Sequence, residues 1–367
     1  MRAEKRYRPF SFNLDSPLPI TARGFLLLEI DMIKGLMMTP PVVGRISIGK
    51  VVERQGKRLP EKDDEFTLTT QVQTRGGWAL HPLDGVLRAE LQERALKSGD
   101  VAEETPQNAT LQQGESLQDK LSKKAQSLKK PNSQPEPEAE PSPQPSARTK
   151  LRSIPVRLLF NDPALNLRAS YTLFNRATAR PICVGDGQTC KRIGHNAVES
   201  LPCLGADQCA LAEEHGCKLF GRFNVRIDHP ENHSDAFSTF ILRTTGVNTV
   251  RTLMARMQYL NAVSGGLLAF LPLELRLRGK STAQSHRAPI YYVDLGLRQN
   301  LDLNAAVAQA QQAMRQAKDA GLDVAALENA AREGYAQGLF EEAGEDVAAV
   351  LEEFYARPEA GTTGNQP

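Results

Sequence analysis

Residues 182–218 read ICVGDGQTCKRIGHNAVESLPCLGADQCALAEEHGCK. All five cysteines of the 367-residue chain fall inside this stretch, at Cys183, Cys190, Cys203, Cys209 and Cys217. Cysteines used only for packing would be scattered along the chain, so the clustering points to a bound metal. The spacing is C-x6-C-x12-C-x5-C-x7-C, with His195 and His215 inside it. Zinc is satisfied by four thiolate or imidazole ligands in a tetrahedron, and a Cys-rich loop without a core of its own takes its order from those bonds. The expectation is therefore a structural Zn2+ site. The C-x2-C pairs of common zinc fingers are missing, so the usual finger folds are not expected. A zinc deaminase needs an H-x-E and a P-C-x-x-C arrangement; here Glu199 follows His195 by four positions, and Pro202-Cys203 has no partner at that spacing. Disulfides are disfavoured because five is an odd number and the N-terminal MRAEKRYRPFSF has no apolar leader core. The expected location is the cytoplasm.

Outward from the window, β-branched and aromatic alternation predicts strands at Ser153–Phe160, Leu167–Phe174, Leu219–Ile227, Phe237–Thr244, Gly266–Leu277 and Ile290–Leu297. A helix is predicted over Thr249–Val263, where apolar residues recur at helical spacing. Further upstream, strands are expected at Phe25–Met32, Gly44–Val52 and Phe66–Thr70, and a helix over Pro82–Leu96. Residues 98–150 have no aromatic residue and end in a PEPEAEPSPQP run. Such a segment buries too little apolar surface to offset its chain entropy and reads as a disordered linker. Residues 303–355 are rich in Ala, Glu and Gln and read as two or three helices broken near Gly321 and Gly344. The fold class is α+β: a strand-rich body with an inserted Cys-rich zinc loop, a long disordered linker and a helical C-terminal tail. Residues 1–97 form the N-terminal α+β part of the body, 98–150 the linker, 151–300 the strand-rich body with the zinc-binding loop at 182–218, and 301–367 an acidic helical tail.

The net charge of +2 conceals an asymmetry. Residues 151–300 carry 18 Lys/Arg against 11 Asp/Glu, whereas residues 301–367 carry 4 against 12. A basic body with an acidic tail suits contact with a polyanion, or a basic partner for the tail. Arg192, Arg222, Arg226, Arg243, Arg251 and Arg256 are the candidate nucleic-acid contacts. Arg222 and Arg226 share one strand face by parity, and Arg243, Arg251 and Arg256 border the turn that opens the Thr249 helix. Arg276, Arg278 and Lys280 also share a strand face, although a sheet's solvated face would carry the same residues. Phosphate loops, G-x-S-x-G elbows and H-E-x-x-H helices do not occur, so no catalytic residue is assigned. Gly185-Asp186-Gly187 reads as a tight turn, and His229/His233 as a polar loop tip that a second metal could use. No apolar run approaches the roughly 20 residues that span a bilayer, so no membrane partner is expected.

Cys183-Val-Gly-Asp-Gly, Arg192, Pro202-Cys203, Cys209, Cys217 and the strand Leu219–Ile227 resemble the recombination directionality factor-like family of phages and integrative elements. So do Gly44-Arg-Ile-Ser-Ile-Gly49, the Lys62–Thr67 stretch, and Thr244-Thr-Gly-Val-Asn-Thr-Val-Arg251. The resemblance covers Val43–Asp294 apart from the linker. It implies a DNA-transaction protein of a mobile genetic element. Some members bind a serine integrase and switch it from integration to excision, while others in conjugative elements are labelled hydrolases or metal-binding proteins. It also implies Cys183, Cys203, Cys209 and Cys217 as zinc ligands, because the family does not require cysteine at position 190. The linker and the acidic tail depart from the family pattern. The expected function is thus non-enzymatic, in recombination or replication, with integrase or another recombinase, a replication protein, or single-stranded DNA as partner. The alternative is a metal-dependent hydrolase or nuclease, in which Asp186 or Asp207 could act as base.

Overall fold

β1 (Val42–Arg54) and β2 (Lys57–Thr74) form a long antiparallel hairpin, with Ile46 opposite Leu68 and Ile48 opposite Phe66. In this computed structural model the described residues are 40–54, 57–74, 77–98, 149–195, 197–232, 237–281 and 289–339, together with Val350 and Phe354. The predicted strand Phe25–Met32, nearly all of the predicted linker and the Gly344 break lie outside them. β2 continues into β3 (Gly77–Leu80) and α1 (Pro82–Ser98). After residue 148 come β4 (Ser153–Arg157), the short helix α2 (Pro163–Asn166) and β5 (Leu167–Phe174). The Cys window supplies β6 (Pro181–Gly185), β7 (Thr189–Ile193), β8 (Val198–Pro202) and α3 (Ala210–His215). The chain then forms β9 (Lys218–Ile227), β10 (Thr239–Thr244), α4 (Val247–Val263), β11 (Leu273–Lys280), β12 (Ile290–Leu297), α5 (Leu303–Asp319) and α6 (Val324–Gln337).

These strands make a mixed α/β fold around one large sheet in the order β3-β2-β1-β10-β9-β5-β6-β7-β8. Every neighbouring pair is antiparallel except β1 with β10. β4 joins β9 to β11, and β11 pairs with β12. Strands from both sides of residues 99–148 therefore share one sheet, through β1 against β10.

Alternation divides the sheet's side chains between two chemically different faces. Ile46, Phe66, Leu68, Phe223, Val225, Phe240 and Leu242 lie on one face and are almost wholly buried. Leu253 and Met257 of α4, Leu87 of α1, and Leu275 and Val293 of β11 and β12 complete this core. The other face carries Arg45, Thr67, Asn224, Thr239 and Arg243, all buried although polar or charged.

Local chemistry explains where the elements start and stop. Asp302 and Asp323 cap α5 and α6 by accepting from Ala305 N and Ala326 N. The strand predicted from Gly266 begins only at Leu273. Leu268–Phe270 form a 3-10 turn instead, and Pro272 has no N–H to offer a ladder. The strand predicted to Phe160 ends at Arg157, because Asp162 caps α2 and Pro163 opens it. About two-fifths of the predicted Cys-rich loop, residues 182–218, is in fact strand.

Candidate functional site

β6 and β7 form a hairpin through Gly185-Asp186-Gly187, closed by the Asp186 N–H donating to Thr189 O at 3.0 Å. The Asp186 carboxylate accepts from the backbone of Gln188 and Thr189 at 2.7 and 2.8 Å. Those two bonds, that from Thr189 first, hold its pKa below the usual carboxylate value. Asp186 is thus committed to the turn. Gly185 sits opposite Cys190 in the ladder. A Cβ there would come within 2.7 Å of Cys203 Sγ and 2.8 Å of Cys190 Cβ. Glycine at this position lets the β8–α3 connection close over the hairpin.

All five cysteines line one cavity of about 20 Å³, together with Tyr171, Leu173 and Arg192. Cys183 comes from β6, Cys190 from β7, Cys203 from just after β8, Cys209 from the N-cap of α3, and Cys217 from just before β9. None is in a disulfide. Leu173, Leu201 and Leu211 pack around them, so the module has a small apolar core of its own. Burial pushes the Cys217 thiol up to about 12, reinforced in falling order by Cys183, Cys203, Cys209 and Cys190. The Cys190 thiol is raised to about 11 by burial, then by its hydrogen bond and charge coupling with Cys183, with Arg192 opposing. Arg192 hydrogen-bonds Cys183, which raises the guanidinium pKa. The thiols converge, but among the described residues no group of three or more His, Cys, Asp or Glu side chains is placed to hold a metal ion.

Neither His195, His215, Asp186 nor Asp207 lines the cavity. His229 lies elsewhere, with Nε2 2.8 Å from Glu90 Oε1 and Nδ1 accepting from Glu231 N at 3.1 Å. Since Nδ1 is the acceptor, Nε2 carries the proton and donates to Glu90. His233 lies outside the described residues.

The candidate nucleic-acid arginines occupy separate places. Arg192 faces the thiols. Arg251 is exposed on α4, and Arg256 on the same helix pairs with Asp294 at 2.9 Å. Arg278 also reaches Asp294, while Arg276 pairs with Glu274. Arg222 and Arg243 are direct neighbours across β9 and β10, and Arg226 shares their face. Two residues that the sequence reading did not name join this row. Arg168 of β5 stands opposite Arg222, and Arg45 of β1 lies on the same face, opposite Ile241. Strand parity marks each one, but only the long-range register brings them together.

Among the described residues, no helix is long and apolar enough to cross a membrane. No curated protein and no solved structure matches the chain. A family model described as Gp3-like, recombination directionality factor-like, matches residues 91–298, more than half of the chain. This span includes the Cys window and Thr244–Arg251, whereas the Gly44–Gly49 and Lys62–Thr67 stretches precede it. The chain belongs to the Gp3-like, recombination directionality factor-like family.

Proposed function

We propose that this chain is a non-enzymatic, zinc-stabilised protein of a phage or integrative element that acts in recombination or replication through an integrase, single-stranded DNA, or both. Family membership supports the recombination context. The observation that carries the zinc reading is the convergence of five thiols on one cavity. The donor set fits zinc in type and number. Cys183, Cys203, Cys209 and Cys217 would hold the ion, which would cross-link β6, the β8–α3 connection and the start of β9. Four thiolates leave no position for a bound water, so the ion's contribution would be structural. The cavity lining includes neither carboxylate nor imidazole, which favours this reading over a hydrolase.

Two measurements test the proposal. The purified full-length protein should contain about one zinc per chain. Serine at position 183, 203, 209 or 217 should remove it, and serine at 190 should retain it. Retention of zinc after loss of both Cys203 and Cys209 would overturn the ligand assignment. Independently, the protein should co-purify with the integrase of its own element and shift that enzyme toward excision. Failure of both capture and excision would remove the integrase arm.

A further inference from the structure

Arg192 is the one cationic side chain among the described residues that line the thiol cavity. β7 sets it directly opposite Cys183 of β6 and directly opposite Glu199 of β8. Cys183, Arg192 and Glu199 thus form one row across three strands, on one face, with neighbouring Cβ atoms about 4.5–5.5 Å apart. In such a row an arginine ordinarily takes the carboxylate, because the two make paired, charge-assisted bonds. The structure shows the other choice. Among the described residues no ion pair joins Arg192 to a carboxylate, and its guanidinium hydrogen-bonds Cys183 instead.

Glu199 is exposed and folds back toward the β7–β8 turn. Its Oε1 lies 2.5 Å from the point where a Cβ on Gly194 would sit, so the missing side chain at Gly194 gives it room. Arg192 Nε is meanwhile buried and without a hydrogen-bond partner among the described residues. A buried donor left without an acceptor costs free energy. Among the described side chains of the cavity lining, the acceptors are the five sulfurs and the Tyr171 hydroxyl.

The two thiols of the β6–β7 hairpin play opposite parts. Cys190 Sγ donates to Pro202 O at 3.8 Å. A sulfur that donates still carries its proton, whereas a metal ligand is a thiolate and accepts. Cys183 is the sulfur that the guanidinium faces. The cavity of about 20 Å³ has room for a single ion or water and for no larger ligand. Four thiolates around a zinc ion leave a net charge of roughly −2. A guanidinium bonded to one of those sulfurs halves that charge in a partly buried site, where uncompensated charge is costly. Groups that hydrogen-bond a metal ligand from outside fix its orientation, and losing one weakens metal binding by about 10- to 100-fold.

We propose that Arg192 is a positioning residue of the metal centre: its guanidinium orients Cys183, offsets the charge of the thiolates, and so sets how tightly the centre holds zinc. This rests on the zinc reading of the cavity. It also moves Arg192 from the candidate nucleic-acid contacts to the metal site.

The test uses the full chain loaded with zinc or with cobalt(II), whose sulfur-to-metal charge-transfer absorption reports on the ligand sulfurs. Zinc affinity is measured by competition with a chromophoric chelator. Arg192→Ala should lose about 10- to 100-fold in zinc affinity. Its cobalt charge-transfer band should move to longer wavelength, because the Cys183 sulfur no longer shares its electrons with a donor. Arg192→Lys keeps the charge and should recover most of the affinity. Lys191→Ala removes the same charge from the neighbouring, exposed position on the opposite face and should leave both readouts at wild-type values. Unchanged affinity in Arg192→Ala would overturn the proposal. So would a band that loses intensity without moving, the mark of a loosened hairpin, or an equal loss in Lys191→Ala. Full zinc affinity together with weakened binding of a single-stranded oligothymidylate would overturn it too and return Arg192 to the nucleic-acid contacts. If Arg192→Ala does not fold, Arg192→Gln keeps the stem without the charge and should still lose about tenfold in zinc affinity; full affinity would count against the proposal. The zinc reading fails separately. A wild-type chain that takes up neither zinc nor cobalt would overturn both, whereas normal uptake with an indifferent Arg192 would overturn this assignment alone.

Discussion

Arg88 is a buried charge held by several partners at once. Its Nε donates to Asp84 Oδ2 at 2.8 Å and its Nη1 to Glu65 Oε2 at 2.5 Å, while Nη2 donates to Phe66 O at 2.7 Å. Burial, the largest influence, depresses its pKa, yet pairing with Asp84 and Glu65 outweighs it and the net direction is up. Replacing Arg88 with alanine would take from two buried carboxylates, Asp84 and Glu65, the guanidinium they share. A loss of about 3–5 kcal/mol is expected, read as a lower urea midpoint. At the thiol cavity the decisive residue is Gly185. Gly185→Ala would drive a methyl group into Cys203 Sγ and the Cys190 Cβ. Overpacking of this kind costs about 1–3 kcal/mol. The variant should therefore melt earlier and bind less zinc. Full zinc content with unchanged stability would show that Cys203 yields freely.

At the level of elements, legibility followed the strength of the local pattern. β5 and β12 have the bounds expected from alternation, and α4 begins two residues before its predicted start. Their apolar residues recur at one period over a full element, which a sequence displays directly. The three strands of the Cys window were not legible. β8 is mostly exposed and β7 alternates over only five residues, so neither has an apolar face long enough to detect. The cysteine clustering did announce a convergent site, since all five reach one cavity. The arginine row was only half legible: parity paired Arg222 with Arg226, but Arg168 and Arg45 joined through strand pairings between distant segments. α4 offers the sharpest check on the core. Leu253 is fully buried beneath the sheet, so Leu253→Ala should cost about 2–5 kcal/mol in a thermal or urea melt. A cost below about 1 kcal/mol would mean that α4 does not pack there as tightly as its burial indicates.

The whole molecule is one sheet assembled from two stretches of chain, and the contacts that join them bear on the intervening segment. Arg88 Nη1 donates to Thr149 O at 2.9 Å, and Phe66 N donates to Leu151 O at 2.7 Å. Lys150 bridges Asp63 and Asp64, and Arg152 also reaches Asp64. The returning chain is therefore anchored on β2 and on the middle of α1, independently of residues 99–148. From Arg88 to Ser98 the helix runs ten residues, or about 15 Å. A Gly/Ser segment of about 12 residues has a root-mean-square span of about 19 Å, enough to return from the helix end. Replacing residues 101–148 with such a segment should leave the sheet intact. Shortening the loop from about 50 to about 12 residues should also relieve roughly 1 kcal/mol of closure entropy. The urea midpoint should rise slightly with an unchanged slope. A fall of more than about 2 kcal/mol would mean that the replaced residues contribute packing to the fold, and a shallower slope would locate that contribution in buried surface rather than in chain entropy.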